Sequence, residues 1–161
     1  MPKYPNKVRA GAGKSAVAFE HQPDLYAVRR ESGSGLSGAL AVMQDDANAA
    51  YAVYERRSGH KVKAADAGPV YSAGPGGPLA VPTGRVFVRM SEGMRPEDRR
   101  AQFRAAGFEI ERTLSYAPNA AWLRPVQGGV SRALPALGAL ESVPDVAHVE
   151  PQMLLARALK G

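Results

Sequence analysis

Few residues in this chain have types and spacings that could do chemistry. Gly11-Ala12-Gly13-Lys14-Ser15 ends like a phosphate-binding loop. Such a loop cradles phosphates on backbone N–H groups at a helix N-terminus, and it needs a further glycine five positions before the second one. That position is Val8, and Ala16–Glu20 patterns as a strand rather than a helix. Gly35-Leu36-Ser37-Gly38-Ala39 nearly matches the sharp turn that exposes a serine nucleophile, but its fifth residue is alanine and no strand leads into it. His21, His60 and His148 stand singly, and the chain has no cysteine. A thiol nucleophile, a thiolate metal site and a disulfide framework are therefore excluded, and the histidines lack metal-ligand spacing. His148 and Glu150 fall on one side of a strand, which makes a surface pair rather than a site. The expectation is a protein that is not an enzyme and uses no metal and no cofactor.

The elements that position these residues divide the chain at Ala67–Gly84, AGPVYSAGPGGPLAVPTG, which holds five Gly, four Pro and no charge. That composition cannot be a helix and makes a poor central strand, so it reads as a linker or an arm over residues 67–84. Residues 1–66 before it pattern as a smaller β-rich region. Ser15–Glu20 and Leu25–Glu31 alternate with period two around a Gln22-Pro23-Asp24 turn, which suggests a hairpin. Ala39–Ala50 has helix-forming composition. Tyr51–Arg57 and Lys61–Ala65 read as a second hairpin.

Residues 85–151 are more sharply patterned. Arg85–Met90 is a strand with Val86, Val88 and Met90 on one face. Pro96 suits a first helical turn, Glu97 and Asp98 suit the positive end of its dipole, and Gly107 suits the residue just past its end. Phe108–Tyr116 alternates, with Phe108, Ile110, Arg112, Leu114 and Tyr116 on one face and Glu109 and Glu111 on the other. Ala120–Val126 is the next strand. Ser131 can cap a helix carrying Leu134, Leu137 and Leu140, with Pro135 in its first turn. Val146–Glu150 is the last strand. The order predicts an α+β protein whose C-terminal domain is ferredoxin-like, βαββαβ, with an antiparallel sheet.

The formal net charge is +6, which invites a nucleic-acid partner. Its distribution argues otherwise: residues 1–82 hold 10 basic and 7 acidic groups, residues 83–161 hold 11 and 8, and no basic run exceeds two. Nucleic-acid binding needs a concentrated basic footprint with stacking aromatics. No apolar stretch is long enough to cross a membrane or serve as a secretory signal, so the expected location is cytoplasmic, with no nucleic-acid and no membrane partner. Residues 152–161, QMLLARALKG, then read either as a short packing helix or as an extended peptide offered to another protein's groove.

Pro82–Pro151 resembles the N-terminal prodomain of bacterial subtilisin-like serine proteases. The resemblance rests on the strand after Pro82-Thr83-Gly84, on AAGFEIER leading into the second strand, on YAPNAAW, and above all on Val146-Ala147-His148-Val149-Glu150-Pro151. Lys7–Ala67 less specifically resembles the β-rich region that precedes some of these prodomains. No catalytic domain follows, so the resemblance implies a stand-alone prodomain. Its implied function is inhibition of a subtilisin-like protease in a 1:1 complex, with templating of that protease's folding as an additional role. In that picture Phe87, Trp122 and His148 lie on the docking face. Glu150 caps the N-termini of two protease helices, with Gln152 as an uncharged second contact. Met153, Leu154, Leu155, Ala156, Arg157, Ala158 and Leu159 occupy the protease cleft, with Leu155 in the fourth subsite and Ala158 at the scissile position. The competing reading is a ferredoxin-like regulatory or nucleic-acid-binding module with no protease partner, since a fold does not fix a function.

Overall fold

The computed structural model describes residues 4–10, 17–30, 38–44, 50–56, 67–74 and 76–156. Among them run eleven strands and three short helices: β1 (Lys7–Ala10), β2 (Val17–His21), β3 (Leu25–Arg30), β4 (Ala41–Gln44), β5 (Ala50–Glu55), β6 (Ala67–Gly68), β7 (Tyr71–Ala73), β8 (Leu79–Met90), α1 (Arg100–Ala105), β9 (Phe108–Leu114), β10 (Ala117–Pro125), α2 (Val130–Ala133), α3 (Leu137–Glu141) and β11 (Val146–Leu155). The protein is α+β, and every strand pair with a resolved register is antiparallel. None of its described helices is long and apolar enough to cross a membrane. The chain forms two compact units, one built mainly on Thr83–Gln152 and the other mainly on Val17–Pro82, to which the chain returns from Met153.

In the Thr83–Gln152 unit the strand order is β11-β8-β10-β9. Val86, Val88 and Met90 of β8 meet Ala121 and Leu123 of β10, Phe103 of α1, Ala133 of α2 and Leu140 of α3 in one buried cluster. The helices thus lie on the Val86 side of the sheet. Gly107 closes the first helical run at φ 93, a left-handed conformation that costs glycine little. That run opens as a 3-10 turn, Pro96–Arg99, before α1. The second run is broken: Gly129, not Ser131, is the residue before α2, and Pro135 forces a 3-10 turn at Leu134–Ala136 between α2 and α3. A ring nitrogen without N–H cannot continue an α-helical ladder. Leu134 and Leu140 are nonetheless buried, as their spacing predicts, and Leu137 packs against the cluster that holds Leu140. Tyr116 departs from its expected place at the end of the alternating strand: β9 ends at Leu114, and Tyr116 is 82% exposed in the turn.

The other unit differs more from its sequence pattern. Its four-stranded sheet runs β4-β5-β3-β6. β2 and β3 do not form the expected hairpin, because β2 pairs with β7 while β3 pairs with β5 and β6. Ala41–Gln44 is a strand where composition predicts helix, since pairing with β5 outweighs a weak local preference. Residues 67–84 are not a linker: they hold β6, β7 and the start of β8, with Val70, Tyr71 and Ala80 fully buried. Lys61–Ala65 lies outside the described residues.

Candidate docking face

Period two along β8 sends Val86, Val88 and Met90 into the core and leaves Arg85, Phe87 and Arg89 on the opposite face. Phe87 pairs directly with Trp122 on β10. Their rings meet edge to face, with centroids 5.4 Å apart and planes at 65°. Such a pair adds about 0.5–1.5 kcal/mol to the area it buries. The Arg85 guanidinium lies over the Trp122 ring at 4.9 Å, and its Nε donates to Glu111 Oε2 on β9 at 2.9 Å. Beside this group, Arg124 Nε donates to Glu109 Oε1 at 2.7 Å. The face therefore has an aromatic centre flanked by Arg85 and Arg124, each matched to a glutamate.

On β11, Val149 packs into the core, so its neighbours His148 and Glu150 point away from it. His148 Nε2 and Glu150 Oε2 stand 3.3 Å apart. Gln152 Oε1 accepts from Thr83 Oγ1 at 2.6 Å. The structure thus brings Phe87 and Trp122 together and joins His148 to Glu150. Arg85, Glu109, Glu111 and Arg124 complete the face and were not singled out from sequence. Their alternation was visible there, but Glu111 reaches Arg85 across 26 positions, and no local pattern records that.

The tail differs from its expected form. The last strand does not end at Glu150 but runs to Leu155. Ala156 N donates to Leu79 O at 2.8 Å, so β11 extends along the opening residues of β8. Leu154 and Ala156 pack against the cluster formed by Ala27, Met43, Tyr51, Val53, Val70 and Val81. Met153 is half-buried, while Leu155 remains 52% exposed. Arg157, Ala158 and Leu159 lie outside the described residues, as do Gly11–Ser15, Gly35–Ser37 and His60. Among the described residues no group of three or more His, Asp or Glu could hold a metal ion. His21 sits 5.3 Å from the Tyr71 ring, and burial together with the nearby Arg56 cation holds its pKa below the usual imidazole value.

Comparison of the chain with family models, with curated proteins and with solved structures finds no match.

Proposed function

We propose that the chain is a prodomain-like inhibitor of a subtilisin-like serine protease, and that the Thr83–Gln152 unit is a ferredoxin-like βαββαβ module which docks through its Phe87–Trp122 face. The observation that carries this reading is the face itself. A half-buried aromatic pair stands at its centre, opposite the helices, beside the Arg85–Glu111 and Arg124–Glu109 ion pairs. Large aromatics within a polar rim are how protein interfaces concentrate their energy. The strand order β11-β8-β10-β9 supports the ferredoxin-like assignment. The V-x-x-V-E-P closure at Val146–Pro151 supports the partner class.

The same face disfavours the nucleic-acid reading. Bases stack on open aromatic rings while free cations hold phosphates. Here Arg85 occupies the Trp122 ring, and Arg85 and Arg124 are each engaged by a glutamate. In the proposed complex Glu150 faces the N-termini of partner helices, where a carboxylate is stabilised. Leu154 and Ala156 are committed to their own cluster, so the proposal confines the cleft role to Leu155 and the residues Arg157, Ala158 and Leu159.

The test is titration of the purified chain into a subtilisin-like protease, with peptide hydrolysis as readout. Hydrolysis should fall to zero at a 1:1 ratio. Undiminished hydrolysis at excess chain, together with tight binding of a single-stranded oligonucleotide, would favour the competing module.

A further inference from the structure

Six large apolar side chains are exposed among the described residues, and three of them, Leu40, Val42 and Leu155, meet at one place. They line a groove of about 570 Å³ completed by Ala41, Met43, Gln44 and Leu154. The groove runs along β4, the edge of its four-stranded sheet. Period two turns Met43 inward, 4% exposed, and leaves Leu40, Val42 and Gln44 facing out. An edge strand presents unpaired backbone N–H and C=O groups, and native proteins guard such edges with charge, proline or brevity. The other edges among the described strands are guarded: β1 carries Lys7 and Arg9, β9 carries Glu109, Glu111 and Arg112, β11 carries Glu150 and Pro151, and β6 has two residues. Leu40–Gln44 has no charge and no proline.

We propose that this groove is a self-association surface, on which β4 of a second copy of the chain pairs antiparallel with β4. Charge matching selects the occupant. Among the described residues no charged side chain lines the groove, and of the described edge strands longer than two residues only β4 is itself uncharged. Each of the others would bring a charged strand to this uncharged edge. The strand is also self-complementary. A two-fold axis through Val42 sets Val42 against its own copy and Leu40 opposite Gln44, and the exposed methyl groups close over one another. The groove residues belong to the Val17–Pro82 unit and the Phe87–Trp122 pair to the Thr83–Gln152 unit, and of the groove residues only Leu155 enters the inhibitor reading, so this inference does not rest on that reading.

The test is sedimentation velocity of the full chain over a wide concentration range, with amide exchange read at Leu40–Gln44. The expected result is a concentration-dependent dimer in which those amides gain protection as the dimer forms. Salt should strengthen it, because each copy carries a formal charge of +6 and the contact itself carries none. Val42→Lys should weaken the dimer about tenfold or more by setting like charges opposite each other, while Val42→Ile should keep it. An unchanged thermal midpoint in the Lys variant shows that it folds. A chain that stays monomeric at millimolar concentration overturns the proposal, as does an equally strong Val42→Lys dimer. Protection of β4 that appears only on adding the protease overturns it too, and assigns the groove to that partner. Val42→Lys should still inhibit if the sheet face is the inhibitory surface, so the two readings can fail independently.

Discussion

Arg85 lies over the Trp122 ring, 4.9 Å from its centroid, and the two side chains join β8 to β10 on the face away from the helices. A cation over an indole contributes about 0.5–2 kcal/mol depending on how far it is desolvated. The pair also gives the face a built-in reporter, because Trp122 is the only tryptophan.

Trp122→Ala should therefore separate binding from folding. The ring is half-buried and lies outside the helix-side core, so the thermal midpoint should change little. At the centre of a docking face the truncation should cost about 2 kcal/mol or more of affinity. Inhibition constants for variant and parent, measured beside their melting curves, decide it. Equal inhibition by the two would move the docking surface elsewhere.

Glu150→Gln tests the capping role. The substitution keeps size and hydrogen bonding but removes the charge that meets His148 in the free chain. Loss of a carboxylate at helix N-termini should weaken the complex by about 0.3–2 kcal/mol. The loss should shrink with added salt, and the fold should be unaffected. A salt-independent loss would point to shape rather than charge.

The core on the other side of the sheet predicts the opposite pattern. Phe103 is fully buried among Val88, Leu123 and Leu140. Phe103→Ala should destabilise the chain by about 3–5 kcal/mol, through lost transfer energy and the cavity left behind. Denaturant unfolding would show it, and inhibition should fail only where the unit no longer folds.

His21 makes stability depend on pH. Burial and the Arg56 cation lower its pKa in the folded chain, so the unfolded chain binds its proton more readily. Its contribution is fully present above about pH 6.5, the ordinary imidazole value, and is lost as pH falls through the lowered folded value. The thermal midpoint should thus drop on mild acidification. His21→Gln should flatten that drop, and an identical slope in the variant would assign it to other groups.

Local periodicity made one half of the fold legible. Alternation set Val86, Val88 and Met90 apart from Phe87, and helical spacing picked out Leu137 and Leu140, because each pattern answers to one apolar core. What it could not convey was decided by distant partners. Ala67–Gly84 looks like a linker because glycine and proline weaken isolated strands, yet Val81 is buried beside Val53, which lies beyond any local window. The helix-forming residues of β4 become a strand because β5 lies beside them. Leu154 and Ala156 look like a free tail only until Leu79 and their cluster are in view.

That tail gives the last prediction, for which two truncations are needed. Removing Gln152–Gly161 takes away the end of β11, the Thr83–Gln152 hydrogen bond and the packing of Leu154 and Ala156. Burial of one leucine contributes about 1.5–3 kcal/mol, so the thermal midpoint of this variant should fall clearly. Any loss of inhibition in it mixes instability with lost contact. Removing only Arg157–Gly161 leaves Leu154, Leu155, Ala156 and the Ala156–Leu79 hydrogen bond in place. The midpoint should then be unchanged. If the residues after Ala156 enter the protease cleft as an added strand, backbone pairing and side-chain anchors are lost together, and inhibition should weaken about tenfold or more. The shorter truncation is decisive once its melting curve matches that of the full chain. Inhibition equal to that of the full chain would remove the tail from the cleft, and the docking energy would then have to come from the Phe87–Trp122 face alone.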